Sequence, residues 1–318
     1  MALTLLILIV GLALIVLGAD WLVDGASSIA RKAGISEFVI GLTIVGFGTS
    51  CPELVVSLTG AIAGSSDISA GNVIGSNIFN TLLILGLTAI VAPITITPKN
   101  KRRDIPMTIG VTVLFLLCGM CHTLFGLGGY DGISRIEGIV FLILFCAYIY
   151  LCFKTGSADE AEEGGKQMKL AAAIALVLAG LAGLIAGGKL FVNSATEIAQ
   201  RLGISEKFIA VTILAGGTSL PELATCVVAA AKKKGQLALG NILGSNIFNI
   251  LLILGCSAVV HPLHFAGINM VDMGVLLLSS LLVFTSAYTG RKDMVDRFDG
   301  SILLLCEVAY MAWLIYNL

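Results

Sequence analysis

The sequence matches itself without a gap at an offset of 169 residues, so whatever fold it adopts is built twice. Gly71 to Gly86 reads GNVIGSNIFNTLLILG and Gly240 to Gly255 reads GNILGSNIFNILLILG, identical at 13 of 16 positions. Upstream, Gly34-Ile35-Ser36-Glu37 pairs with Gly203-Ile204-Ser205-Glu206, and Gly48-Thr49-Ser50-Cys51-Pro52-Glu53 pairs with Gly217-Thr218-Ser219-Leu220-Pro221-Glu222. Pro93 pairs with Pro262. The copies sit in a chain of 318 residues that is 57% hydrophobic and 12% charged, with a mean hydropathy of +1.01. That leaves too little polar surface to cover a water-soluble globule, which places the chain in lipid.

A helix crosses the hydrocarbon core with about 20 apolar residues. Runs of that kind are expected at 3–24, 37–63, 70–93, 107–125 and 135–153, and again at 169–191, 206–231, 238–260, 268–289 and 300–317. The first run has no basic residue before it and continues into Asp20, Trp21 and Asp24, so it reads as a retained span rather than a signal peptide. Each half holds an odd number of spans, so the two halves must enter the membrane in opposite orientations. The expected fold is therefore an all-α membrane protein of ten transmembrane helices in two inverted five-helix repeats, with helices 2 and 7 discontinuous. Residues 1–153 form the first repeat, 154–168 a cytoplasmic linker carrying Asp159, Glu160, Glu162 and Glu163, and 169–318 the second repeat.

Positive charge gives an independent reading of topology. With the N-terminus outside, 15 of the 19 Lys and Arg residues fall on the cytoplasmic side, leaving Arg135, Lys189, Arg201 and Lys207 near the other face. Both termini are then extracellular or periplasmic, in a multi-pass protein of the cell membrane. The eight cysteines lie mostly inside apolar runs without ligand spacing and read as small buried hydrophobes. His122, His261 and His264 fall at span ends without a matched nucleophile, so no enzyme activity and no cofactor are expected.

Glu53 is the only charge between Phe38 and Ser66, and Glu222 the only one between Phe208 and Ala231. A carboxylate at membrane depth costs several kcal/mol unless it is paired or solvated, so two at matched positions call for an ion, a proton or a partner. Gly46, Gly48 and Pro52, and Gly216, Gly217 and Pro221, weaken the helices just before them, because proline lacks an N–H and clashes with the carbonyl four residues back. Backbone oxygens freed near Phe47 to Thr49 and Gly216 to Thr218 would join the hydroxyls of Thr49, Ser50, Thr218 and Ser219 and the two carboxylates in an all-oxygen shell. Such a shell suits calcium or sodium and offers little to zinc or copper.

The next span of each half adds a polar stripe. Asn72, Ser76 and Asn80 share one helical face, as do Asn241, Ser245 and Asn249. Ser76, Asn80, Ser245 and Asn249 are expected as ligands, while Asn72, Asn77, Asn241 and Asn246 cap or cross-link the broken helices. Gly71, Gly75, Gly240 and Gly244 would let another helix approach closely. Cys51 has Leu220 as its repeat mate and reads as packing. Asp20 and Asp24, at the end of the first span, correspond to Lys189 and Asn193, so a salt bridge or snorkelling is expected there. Glu307, isolated in the last span, is expected to pair with a neighbouring helix.

The paired Gly-Thr-Ser-x-Pro-Glu and Gly-Asn-x-x-Gly-Ser-Asn-Ile-Phe-Asn motifs resemble the two alpha repeats of the cation/calcium exchanger superfamily, in particular its microbial sodium/calcium exchanger branch. The resemblance covers essentially the whole chain. It implies ten helices around a midplane set of ion sites, with Glu53 and Glu222 binding calcium. Thr49, Thr218, Ser50, Ser219, Ser76, Ser245, Asn80 and Asn249 would complete the sites, and helices 1 and 6 would be a long sliding pair that gates access. Some sodium-coupled relatives carry an aspartate where this chain has Asn249, which leaves two central carboxylates here and no third. The implied activity is calcium/sodium antiport, with calcium/proton or potassium-dependent sodium/calcium antiport as the alternative. Its expected partners are calcium and sodium ions and the lipid bilayer, with no nucleic acid, and a monomer is expected. A channel would need a continuous pore, which two inverted halves sharing one site do not favour; a membrane scaffold would carry no flux.

Overall fold

The computed structural model describes residues 1–127, 129–155, 168–204, 213, 215–289 and 293–316, and these residues are mostly helical. Four helices and one broken pair come from the first copy of the motif: α1 (Ala2–Ala33), α2 (Glu37–Thr49), α3 (Cys51–Ile62), α4 (Ser66–Val91), α5 (Ile105–Gly119) and α6 (Arg135–Thr155). The second copy supplies α7 (Leu170–Arg201), α8 (Leu220–Ala231), α9 (Gly235–Val260), α10 (Met270–Thr289) and α11 (Arg297–Tyr316). Seven of these are single helices long and apolar enough to cross a membrane, and α2 with α3, bent by 48° between them, is apolar enough when taken together. Leu5, Leu6, Ile9, Leu12 and Val16 of α1, and Ile174 and Leu178 of α7, are exposed, the arrangement of side chains that face lipid. The chain is a multi-pass membrane protein.

Several of the expected boundaries move, among them the end expected at 191, which extends to Arg201, and the start expected at 70, which falls at Ser66. The first helix runs on to Ala33, where Gly34 closes it in the left-handed conformation (φ 63°), so Asp20 and Asp24 lie within α1 and not at its end. The fourth span stops at Gly119 and gains a π-helical turn, Asn100–Asp104, ahead of Pro106. The linker between the halves and the start of the span expected at 206–231 fall outside the described residues.

α1 and α7, each of 32 residues, pack along a seam of small residues, while α4 and α9 are the most buried of the seven single spanning helices. Gly240 and Gly244 of α9 meet the α2 backbone as expected: a methyl on Gly244 would stand 2.7 Å from Leu42 Cα. The segment that the repeat puts opposite Gly71 and Gly75 is outside the described residues. Two short antiparallel clips tie the halves together reciprocally. Ile94–Thr95 pairs with Met294–Val295, and its repeat mate Leu263–His264 pairs with Gly132–Ile133.

Candidate ion-binding site

Both helix breaks fall on a serine. Ser50 (φ −83°, ψ 7°) ends α2 and Ser219 (φ −88°, ψ 6°) precedes α8, and in each case proline occupies the first turn of the helix that follows. Proline is tolerated there because the first N–H groups of a helix have no internal acceptor, and the same exposed N–H groups favour an acid in that turn. Glu53 and Glu222 occupy those turns and are each 1% exposed.

The serines hold the glutamates crosswise. Ser50 Oγ donates to Glu222 Oε1 at 2.9 Å, and Ser219 Oγ donates to Glu53 Oε1 at 3.1 Å, so each half grips the carboxylate of the other. A hydroxyl has one proton, so with Ser50 committed to Glu222 the 3.0 Å contact with Ser245 Oγ is one in which Ser245 donates. Thr49 Oγ1 donates to Asn241 Oδ1 at 3.2 Å.

Asn77 and Asn246, expected to cap or cross-link the broken helices, instead join α4 to α9, and these bonds do a second job. Asn77 Nδ2 donates to the Asn246 carbonyl at 3.1 Å, Asn249 Nδ2 to Asn77 Oδ1 at 2.9 Å, Asn80 Nδ2 to Asn246 Oδ1 at 3.2 Å, and Asn246 Nδ2 to Thr81 Oγ1 at 2.8 Å. With their NH₂ groups engaged between α4 and α9, Asn80 and Asn249 keep their amide oxygens free. Asn80 opens a π-helical turn (Asn80–Ile84) and Asn249 lies in another (Phe248–Leu254), local widenings that recur at functional sites.

Within this cluster, and among the described residues, five buried oxygens are left without a hydrogen-bond partner: Glu53 Oε2, Glu222 Oε2, Ser76 Oγ, Asn80 Oδ1 and Asn249 Oδ1. Thr218 Oγ1 is likewise buried without a bond of ordinary geometry. Buried polar atoms are nearly always satisfied, so this concentration of acceptors from both halves has the chemistry of a shell for a hard cation. A cavity of about 800 Å³ lined by Pro52, Lys189 and Pro221 reaches two of these residues, Ser76 and Thr218.

The family model for the sodium/calcium exchanger protein matches residues 3–154 and 172–316. The chain belongs to the sodium/calcium exchanger family. This exchanger is 40% identical to a putative antiporter, CaxA, of Alkalimonas amylolytica, over 95% of both chains. It is 34% identical to the sodium/calcium exchanger MaX1 of Methanosarcina acetivorans, over 98% of both. Among solved structures it superposes on the sodium-calcium exchanger NCX_Mj, soaked without sodium or calcium, with a TM-score of 0.85 at 35% identity over 98% of each chain. The family is one of transporters, not enzymes.

Several partners in this exchanger escape a reading of its sequence. Asn72 Nδ2 donates to Ser57 Oγ at 2.9 Å and to the Glu53 carbonyl at 3.2 Å, and in the other half Asn241 Nδ2 donates to Cys226 Sγ at 3.3 Å. Ser57 and Cys226 stand 169 apart, so the repeat carried the signal and the apolar setting of Cys226 hid it. Cys226 is an acceptor as well as packing. Phe47's carbonyl, expected to be open, receives the Cys51 thiol at 3.3 Å. Asp20 and Asp24 do form a salt bridge, both meeting Lys232 Nζ at 2.7 Å. Glu307 is 3% exposed and, among the described residues, its Oε2 has no hydrogen-bond partner, so the pairing expected with a neighbouring helix is not seen at that oxygen.

Proposed function

We propose that this chain is a secondary antiporter that exchanges calcium for sodium by alternating access at a midplane site built around Glu53 and Glu222. The crossed serine–glutamate bonds, together with the unsatisfied oxygens around them, carry this reading. Calcium takes six to eight oxygens, and Glu53, Glu222, Ser50, Ser219, Ser76, Ser245, Asn80, Asn249, Thr49 and Thr218 can supply them from both halves. The ligands come from both halves and are tied by crossed hydrogen bonds, so in this reading access alternates by sliding of α1 and α7 past an intact shell.

In this reading ten spans form two inverted repeats, 1–153 and 169–318, joined by a cytoplasmic linker at 154–168. The helices broken at Ser50 and Ser219 are the second and seventh, both termini are external, and the monomer is the working unit. An empty pair of carboxylates repels itself at low dielectric, whereas a bound cation neutralises it, so the loaded site crosses and the empty one does not.

Radioactive calcium uptake into proteoliposomes, with sodium, potassium and proton gradients imposed one at a time, tests the reading. Sodium-driven uptake is the expected result. Uptake driven by protons alone, or requiring potassium, would replace sodium as the sole counter-ion, and non-saturable flux without a counter-ion would make the chain a channel. Exchange that moves net charge should also respond to an imposed potential, since each elementary charge is worth about 2.3 kcal/mol per 100 mV. Uptake indifferent to voltage would mean electroneutral exchange.

The Lys232 contacts bear on the conformational step. Lys232, at the end of α8, holds Asp20 and Asp24 of α1, while the repeat-related positions Ala63, Lys189 and Asn193 cannot make the same contacts. The clasp therefore ties one end of the molecule only. Half-exposed ion pairs are each worth about 0–1 kcal/mol, so Lys232→Ala should change the exchange rate by up to about fivefold per pair, with little effect on thermal stability. A rate equal to wild type at low ionic strength would remove the clasp from the transport cycle.

A further inference from the structure

Glu307 sits ten residues into α11, about 15 Å along a helix that rises 1.5 Å per residue, so its carboxyl lies deep in the span. Glu307, Tyr310, Met311 and Leu314 are spaced by three, four and seven positions and share one face. That face lines a second cavity, of about 580 Å³, whose other walls include Ile74, Ile78 and Phe79 of α4. Asp67, in the first turn of α4, and Asp272, in the first turn of α10, also line it. Tyr310 donates to Asp272 Oδ1 at 2.9 Å, and Asp67 Oδ1 accepts from the Ala266 N–H at 3.0 Å. Glu307 alone has an oxygen buried in the protein without a hydrogen bond among these acids.

A carboxylate that deep does not persist as a bare anion; it takes up a proton or a cation. The surroundings decide between them. The hydroxyl nearest along the helix face is already committed to Asp272, and the remaining walls are largely apolar. Asp67 and Asp272 are already engaged in hydrogen bonds, so a metal ion would find few unpartnered oxygens beside Glu307, whereas a proton needs only one.

We propose that Glu307 is a proton-binding site, filled through the cavity that Asp67 and Asp272 border, and separate from the cluster around Glu53 and Glu222. Among the described residues the titratable groups facing it are Asp67 from α4, Asp272 from α10 and Tyr310 from its own helix. Its cavity shares Gly71, Asn72 and Gly75 with the larger cavity beside the ion cluster, and Asn72 also bonds the Glu53 carbonyl. A charge on Glu307 therefore attracts cations towards the central site, and a proton on Glu307 removes that attraction. Apparent cation affinity should fall as pH falls through the titration of Glu307. The assignment of a proton to Glu307 does not depend on which cations the central site carries.

Infrared difference titration of the purified protein in lipid, at saturating calcium, tests this directly. A protonated-carboxyl band that grows as pH falls is expected in the wild type and in Glu53→Gln, and is expected to vanish in Glu307→Gln. Identical titrations of wild type and Glu307→Gln would overturn the proposal, as would a wild-type band indifferent to pH. Loss of the band on adding sodium at constant pH would make Glu307 a sodium site instead. In flux measurements Glu307→Gln should lose a several-fold pH dependence of half-saturating calcium while still transporting. Because the wild-type titration stands without any substitution, a misfolded variant does not decide the question. Failure of the central-site reading would show instead as calcium flux that survives substitution of Glu53 and Glu222.

Discussion

Glutamine at Glu53 or Glu222 is expected to abolish calcium-dependent exchange while leaving the ion-free protein at least as stable as wild type. The two halves of that expectation have one cause. Each carboxylate is 1% exposed and keeps one oxygen without any partner, so in the absence of a cation it is a cost to the fold and not a support. Removing it relieves the fold and deprives the ion of a ligand. The loss of one partner from a buried charge pair costs about 3–5 kcal/mol, a fall in calcium affinity of roughly a hundredfold to several thousandfold. Thermal unfolding reads both effects, since a ligand that binds only the native state raises stability by RT ln(1 + [L]/Kd). Wild type should gain stability with calcium; Glu53→Gln and Glu222→Gln should start no lower and gain almost nothing. A variant that kept both the calcium-induced shift and wild-type flux would end the assignment of the site. The crossed hydrogen bonds add a finer test: Ser50→Ala should be non-additive with Glu222→Gln, its partner at 2.9 Å, more than with Glu53→Gln of its own half.

The carboxylates were legible because lipid makes them conspicuous: one acid in a run of more than 20 apolar residues, repeated 169 positions on, has few interpretations. The prolines were legible for the same reason, since they mark where each helix must open. The division of labour among the asparagines was legible in outline only. That Asn77 and Asn246 bridge α4 and α9 follows from amides needing partners, but the acceptor Thr81 has Ile250 as its repeat mate and left no repeated signal. Contacts distant in sequence were hidden altogether. Nothing near Asp20 announces Lys232, and an isolated Glu307 reads as a paired one until its surroundings are seen. The length of α1 was underestimated because charged residues at 20 and 24 look like the end of a span, whereas the helix continues until Gly34 stops it.

Leucine at Gly18 is expected to damage both stability and transport, through a pattern that hydropathy does not reveal. Gly11, Gly18 and Gly25 recur every seven residues in α1, and Gly180 and Gly187 of α7 are the repeat mates of the first two. They interlock reciprocally. A Cβ on Gly18 would stand 2.8 Å from the Gly180 oxygen and the Leu184 nitrogen, one on Gly180 would stand 2.7 Å from the Gly18 oxygen and the Leu22 nitrogen, and one on Gly187 would stand 2.8 Å from the Gly11 oxygen. The obstacles are backbone atoms, so no change of rotamer relieves them and the helices must part. In lipid, helix association depends on such close approach, because apolar side chains gain nothing by leaving hydrocarbon tails. Overpacking a core typically costs about 1–3 kcal/mol where side chains can give way, and Gly18→Leu should lie at or above the upper end. Gly188→Ala is the control: it lies in the facing helix α7, but among the described residues no atom comes within 4 Å of the added methyl. Thermal unfolding in lipid and sodium-driven calcium uptake should separate the two, with Gly18→Leu much reduced in both and Gly188→Ala close to wild type. If the two variants were equally stable and active, α1 and α7 would not need their backbones in contact, and the seam would be a by-product of composition rather than the surface on which these two long helices meet.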